Sequence, residues 1–245
     1  MKILSFDTTA ATATAAITEN EKLTAQTVLN TPNTHSVTLL PMIDFLLKSS
    51  GIRLDDIGLI ATVVGPGSFT GVRIGVATAK GLAVKGSTPC IGISAPEALA
   101  YNVADVKCGI VCPVMDARRG QLYNALFAKK GDSLKRLTED RVITAAELSE
   151  ELKKYSSDDI YLPGDGADVA CRALSGDNIH RCGELTAYHS AYSAAKLAFM
   201  KYVEAGEEEK AGFTAEKLSP VYLRACQAER ERLEKLKAEE KGAVK

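Results

Sequence analysis

The chain has 245 residues, with 30 basic against 31 acidic for a net charge of −1; domain sizes cluster at about 100 to 150 residues, so two modest lobes are expected. That balance lacks the electrostatic footprint of a chain that grips nucleic acid by itself through many phosphates. No apolar run approaches the roughly 18 residues of a membrane span, and "MKILSFDTTA" is interrupted too soon for a signal peptide, so the cytoplasm is the expected location and no membrane contact is anticipated.

In chain order, "KILSFDTT" reads as a buried strand ending at Asp7, and "TATAAIT" and "KLTAQTVL", split by the polar turn "ENE", complete a three-stranded antiparallel meander. "THSVTLLPMIDFLLKSSG" has helical length, with Thr34 as the N-cap candidate and Gly51 as its terminator. Its apolar positions Val37, Leu39, Leu40, Met42, Ile43, Phe45, Leu46 and Leu47 cover far more than one stripe, which predicts burial on both sides. A strand "IGLIATVV", a helix "FTGVRIGVATAKGLAVKG", a strand "PCIGIS" and a helix "APEALAYNVA" follow. The order βββαβαβα is that of a ribonuclease H-like lobe, so the expected fold class is α/β, two such lobes in the manner of actin-like ATPases (the ASKHA fold).

The pattern begins again near residue 105, with "CGIVCPVMD", the turn "ARRG", a strand-like "QLYNALFAKK" and "SLKRLTED", a polar helix "AAELSEELKKY" and a short strand "IYLPGDG". The expected division is a first lobe at 1–104, a shortened second lobe at 105–190, a helix and extended segment at 191–224 returning toward the first lobe, and a charged helical tail at 225–245. Read as a strand, "CGIVC" sets the sulfurs of Cys108 and Cys112 about 13 Å apart, too far for one ion. All six cysteines are expected to be reduced and mostly buried.

Three glycines, Gly65, Gly67 and Gly71, give "VVGPGSFTGVRIG" the look of a phosphate cradle. Their spacing is not that of a dinucleotide fingerprint, no Lys-Ser or Lys-Thr follows Gly71, and Ser68 lacks the setting of a hydrolase nucleophile. What survives is a tight strand-to-helix turn, either capped by Ser68 or able to bind an anion on its backbone N–H groups. Gly71, Gly75 and Ala79 lie four apart, a bare stripe that suggests a close helix-on-helix interface, within the chain or between chains. Asp7, Thr8 and Thr9 sit where actin-like ATPases carry a metal-linked acid and a phosphate hairpin; an Asx turn is the structural alternative. His35, His180 and His189 form no metal-binding spacing. Arg118 and Arg119 form an exposed-looking turn that either touches RNA or pairs with Asp116 and an acid on a partner.

"ILSFDTT", "HSVTLLPMIDFLL", "VVGPGSFTGVRIG", "MDARRGQLY" and "LSPVYLR", in this order over residues 1–224, resemble the bacterial TsaB (YeaZ) family. The resemblance implies a non-catalytic subunit, paralogous to the catalytic TsaD, in synthesis of N6-threonylcarbamoyladenosine at position 37 of tRNAs that read ANN codons. TsaD holds a metal with an H-x-x-x-H pair; "NTHSV" supplies only His35, so no metal is expected here. Pairing with TsaD is implied through the first two helices, with TsaE, an ATPase, joining, tRNA held only within the complex, and a homodimer through the same surface when alone. The candidate interface residues are His35, Leu39, Ile43, Leu46, Gly71, Val72, Gly75, Val76 and Ala79, and leucine at Gly75 is expected to block pairing without harming the fold. Asp7, Thr8, Thr9, Gly65, Gly67 and Ser68 are the candidate vestigial nucleotide loops, with weak ATP or ADP binding inside the complex and no cofactor required. A stand-alone actin-like phosphotransferase or ATPase is the alternative; a peptidase lacks any visible nucleophile, base or metal constellation.

Overall fold

A computed structural model describes residues 1–83, 88–103 and 105–224. The last turn predicted for the second helix and the charged tail at 225–245 lie outside the described residues.

Strands β1 (Lys2–Asp7), β2 (Ala13–Glu19) and β3 (Lys22–Leu29) form the predicted meander. Helix α1 (His35–Ser50), β4 (Leu59–Gly65), α2 (Phe69–Ala83), β5 (Cys90–Ser94) and α3 (Ala95–Tyr101) follow, and the sheet runs β3-β2-β1-β4-β5 with β4 and β5 parallel to β1. Strands buried on both faces need apolar residues at successive positions, which "KILSF" and "LIATVV" supply. Leu4, Phe6 and Ile60 face α1 and α2, while Ile3, Leu59, Ala61 and Ile91 face α3 and a helix from the far end of the chain, α7 (Ala191–Glu204).

The second lobe repeats the plan in shorter elements. Strands β6 (Cys108–Val111), β9 (Phe127–Lys130), β10 (Ser133–Arg136), β12 (Ile160–Leu162) and β13 (Ile179–Arg181) are ordered β10-β9-β6-β12-β13, antiparallel on one side of β6 and parallel on the other, as in the first sheet. Its connecting helices are the eight-residue α4 (Ala145–Leu152) and the four-residue α5 (Ala167–Ala170); short α6 (Glu184–Ala187) leads toward α7, and α8 (Glu207–Lys210) follows it. Two ribonuclease H-like lobes, the second shortened, is thus the fold, as the element order predicts.

Strands β7 (Val114–Asp116), β8 (Gln121–Asn124) and β11 (Arg141–Thr144) form a small third sheet that the sequence did not announce. The segment "QLYNALFAKK" is therefore two strands in two sheets. Buried Asn124 makes the break: its amide donates to Pro113 O at 2.8 Å and Ala125 O at 3.2 Å, tying the bend to the strand it leaves. Among the described residues no helix is long and apolar enough to cross a membrane.

The two helices expected to form an interface need correction. On α1, Leu39, Met42, Ile43 and Leu46 are buried against the sheet, but Val37, Leu40 and Phe45 are 67%, 53% and 62% exposed, so the helix is buried on one side only. Thr34 has N-cap backbone geometry without a side-chain cap bond, and Gly51 ends the helix in the left-handed region at φ 67°. On α2, a Cβ at Gly71 would lie 1.9 Å from Thr8 O, and one at Gly75 2.9 Å from Thr62 Oγ1 and 3.0 Å from Thr8 Oγ1. The close approach predicted for the stripe is real, but it is made to the ends of β1 and β4 of the same chain. Leucine at Gly75 would therefore break the fold rather than the pairing.

Gly71→Ala should destabilise the chain by about 1–3 kcal/mol, because Thr8 backbone cannot yield as a flexible side chain would. Gly81→Ala on the same helix meets nothing within 4 Å and should stabilise by up to about 1 kcal/mol. Urea denaturation of both variants checks this; equal effects would contradict it.

Candidate functional site: the cleft between the lobes

A cleft of about 1230 Å³ is lined by Thr9–Ala11 of the β1–β2 turn, Thr31–Ser36 ahead of and into α1, Gly67–Gly71, the β7–β8 hairpin from Met115 to Arg119, Tyr123, Asp165 and the extended segment Val221–Arg224. Of the six candidate nucleotide residues, Thr9, Gly67 and Ser68 line it. Asp7, Thr8 and Gly65 do not: all three are buried beneath it.

The glycine turn is already filled by the chain itself. Ser68 N–H donates to Thr9 O at 2.7 Å, and a Cβ at Gly67 would lie 2.4 Å from that same carbonyl. On the other flank a Cβ at Gly65 would lie 2.4 Å from Val221 O, where Val221 N–H donates to Val64 O at 2.8 Å and lays "SPVYL" alongside β4. Pro66 has no N–H to offer. Ser68 Oγ accepts Gly71 N–H at 3.3 Å, the capping role predicted for it. Glycine is required here so that three backbone segments can touch, and two of the turn's donors, the N–H groups of Ser68 and Gly71, are spent within the fold.

Asp7 is likewise committed. Its Oδ1 accepts Thr9 N–H and Thr9 Oγ1–H, both at 2.7 Å, which is the predicted Asx turn. Its Oδ2 accepts from His189 Nδ1 at 2.5 Å, and the two side chains are essentially without solvent contact. Burial alone opposes a charged carboxylate, but the His189 charge and the hydrogen bonds from His189 and Thr9 outweigh it and hold Asp7 below the usual carboxylate range. Burial likewise opposes an imidazolium at His189, and the attraction of Asp7, with a lesser contribution from Asp165, lifts it above its ordinary value. The two form an ion pair. His189 is the functional residue that sequence reasoning missed, since no spacing rule links positions 182 residues apart.

A magnesium-bound nucleotide, the group that the actin-like fold implies, does not fit these residues. Both oxygens of Asp7 are occupied by protein donors, and among the described residues no three His, Cys, Asp or Glu side chains come together to hold a metal. Cys108 is exposed and Cys90 and Cys112 are buried; burial pushes the Cys112 thiol up to about 12, so it stays a thiol.

The candidate interface residues Leu39, Ile43, Leu46, Val72, Val76 and Ala79 are at most 5% exposed, and Gly71 and Gly75 are buried with them. They hold α1 and α2 on the sheet and are not available to a partner. His35 is half-buried, with Nε2 2.7 Å from Ala10 O, and pins the start of α1 to the β1–β2 turn. The surface that remains open is the outer stripe of α1: Val37, Leu40, Pro41 and Phe45, spaced i, i+3, i+4 and i+8 on one face.

Removing one member of the buried pair strands the other, so His189→Ala and Asp7→Asn should each cost about 3–5 kcal/mol. The raised His189 value contributes stability in full below its unfolded value of roughly 6.5 and loses it as pH rises through the folded value; the depressed Asp7 value contributes above roughly 3.9 and loses it as pH falls. Wild-type stability should therefore decline on the alkaline side of about pH 6.5 while His189→Ala loses that decline. Denaturation midpoints between pH 4 and 9 check this, and parallel profiles would contradict it.

A family model described as TsaD, tRNA N6-adenosine threonylcarbamoyltransferase, matches residues 25–243. The chain is 32% identical over 239 residues to the tRNA threonylcarbamoyladenosine biosynthesis protein TsaB of Bacillus subtilis (strain 168), covering 97% of this chain and 100% of that one. To the protein of the same name from Escherichia coli (strain K12) it is 33% identical over 168 residues, 68% of this chain and 72% of that one. In three dimensions YeaZ from Pseudomonas aeruginosa matches with a TM-score of 0.78 at 23% identity, covering 91% of this chain and 99% of that chain, a likeness of fold. With the family model spanning most of the chain and a TsaB relative matched end to end, the chain belongs to the TsaB (YeaZ) family.

Proposed function

We propose that this chain is a non-catalytic scaffold subunit for N6-threonylcarbamoylation of adenosine 37 in tRNAs reading ANN codons, pairing with a TsaD-like catalytic subunit and a TsaE-like ATPase in the cytoplasm. The observation that carries the reading is the uncovered apolar stripe of α1, with Val37, Leu40 and Phe45 all more than half exposed, on a chain whose Asp7 is committed to His189 and Thr9 inside the fold. Contiguous exposed apolar side chains on a helix face are the mark of a protein partner, and Phe45 is the kind of large aromatic that anchors such a contact. The partner surface in this reading is the complement of the residues first expected: the outer face of α1 in place of its inner one, with the α2 residues left in the core. In the absence of TsaD the same stripe meets a second copy of itself, an isologous contact. tRNA is held by the assembled complex, consistent with a chain whose net charge is −1.

The stand-alone ATPase reading is disfavoured by the burial of Asp7 and by the filled turn. The chain requires no cofactor of its own, and any weak ATP or ADP contact belongs to the complex. Calorimetry on the isolated chain with ATP and Mg²⁺ should show no binding at millimolar nucleotide; a saturable isotherm would favour the ATPase.

Phe45→Asp should leave the fold intact, since that side chain is largely in solvent, and weaken pairing with a TsaD-like partner by about 2 kcal/mol or more, roughly thirtyfold in Kd. Size-exclusion chromatography of the mixed subunits, with a thermal melt of each chain, is the check. A complex of normal size and affinity would overturn the reading.

A further inference from the structure

The hairpin that joins β7 to β8 lies apart from the apolar stripe of α1, and its geometry is specified in detail. Gln121 N–H donates to Arg118 O at 3.1 Å and Ala117 N–H donates to Gln121 O at 2.9 Å. Arg118 and Arg119 both take left-handed backbone, φ 66° and 55°, with Gly120 after them at 72°. Such turns favour Asn-Gly or Asp-Gly, because non-glycine residues are strained at positive φ; here two long cations stand in those places.

The neighbouring acids are engaged with the main chain. Asp116 Oδ1 accepts Arg118 N–H at 2.7 Å, and Asp165 Oδ1 accepts Asp116 N–H at 3.1 Å. From the C-terminal segment, Arg224 Nη1 donates to Ala117 O at 2.5 Å, so the hairpin is clamped from both flanks. The guanidinium of Arg118 remains 88% exposed, its carboxylate neighbour Asp116 at 3.8 Å, and Arg119 makes no ion pair among the described residues.

Both arginines line the cleft, as do Ser68 and Thr70. At about 1230 Å³ the cleft exceeds the roughly 300–1,000 Å³ typical of small-molecule pockets. Thr9 and Val221 backbone close on Gly67 and Gly65 of its glycine turn, and Ser68 N–H is already bonded to Thr9 O. Arg118 and Arg119 are the cations that the second lobe brings to the cleft, so a phosphate-bearing ligand that they take is held from that side.

We propose that Arg118 and Arg119 bind phosphodiester groups of an RNA strand lying across the cleft mouth. The inference rests on the reading of this chain as a subunit of a tRNA-modifying complex. Guanidinium groups match phosphate oxygens bidentately, and contacts of this kind fix the register of the RNA without reading its sequence. With a net charge of −1, the chain positions RNA that the complex holds, and alone it takes RNA only weakly and at low salt.

The test measures labelled tRNA binding by fluorescence anisotropy, over a series of salt concentrations, to the full chain assembled with its TsaD-like and TsaE-like partners. Arg118→Ala/Arg119→Ala should weaken binding about tenfold, similarly for different tRNAs, and reduce the slope of log affinity against log salt by roughly 1 to 2. Arg118→Lys/Arg119→Lys should restore the slope. Unchanged affinity and slope in an alanine-variant complex of normal size would overturn the proposal. So would an ATP-binding isotherm that the alanine variant abolishes while tRNA binding stays as in wild type, since the ligand would then be a nucleotide. Failure of the scaffold reading shows separately, as a wild-type chain that does not assemble. In that case the comparison is made on the isolated chain with short single-stranded RNA at low salt, where equal binding by wild type and alanine variant overturns the proposal.

Discussion

The ion pair between Asp7 and His189 is the contact on which the rest of the molecule turns. It joins the end of the first strand to the segment that enters α7, and the residues beside it extend the seam: Ser5 Oγ donates to Ala191 O at 2.5 Å and Ala191 N–H donates to Thr14 Oγ1 at 3.3 Å. Once that segment is sewn to β1 and β2, α7 has nowhere to lie but across the second face of the sheet, where its alanines close on Ile3, Leu59 and Ile91. A pair of charges in a dry interior is costly unless each has its partner and its remaining oxygens are bonded. Asp7 meets that condition through Thr9. Among the described residues His189 meets it on one nitrogen only, and Nε2 is left without a hydrogen-bond partner.

The same logic applies at the glycine turn. The carboxylate at the end of β1 and the glycine turn after β4 both face other parts of the chain. Thr9 O fills the space over Gly67 and Val221 O the space over Gly65, and Tyr222 stacks on Phe69 at 4.6 Å while its hydroxyl accepts from Arg73 Nε at 2.9 Å. These contacts hold the C-terminal segment to the first lobe. The apolar stripe of α1 and the Arg118–Arg119 hairpin remain exposed.

Much of the first lobe was legible in the sequence because its signals are local. Alternating strand and helix periods set the element order, Gly51 stopped α1, and Ser68 capped α2. The second lobe was less so: its strands are three or four residues long, and the switch of sheet at Asn124 depends on a buried amide whose partners are set by tertiary structure. The site was harder still. The apolar residues of α1 fill two stripes, and periodicity alone does not say which stripe meets the sheet, so Leu39, Ile43 and Leu46 were assigned to a partner when they belong to the core. The Gly71–Gly75–Ala79 stripe correctly announced a close approach but not what approaches. His189 carried no signal at all, because its meaning comes entirely from Asp7 at the other end of the chain.

The central claim is that Asp7 is a buried structural ion paired with His189 rather than a ligand to metal and nucleotide. Nitrogen NMR of the His189 ring, followed across pH with and without Mg²⁺ and ATP, tests it most directly. The account predicts a ring that stays protonated above pH 6.5 and whose signals ignore added nucleotide. A ring that titrates freely near pH 6.5, or that shifts when Mg²⁺ and ATP are added, would contradict it.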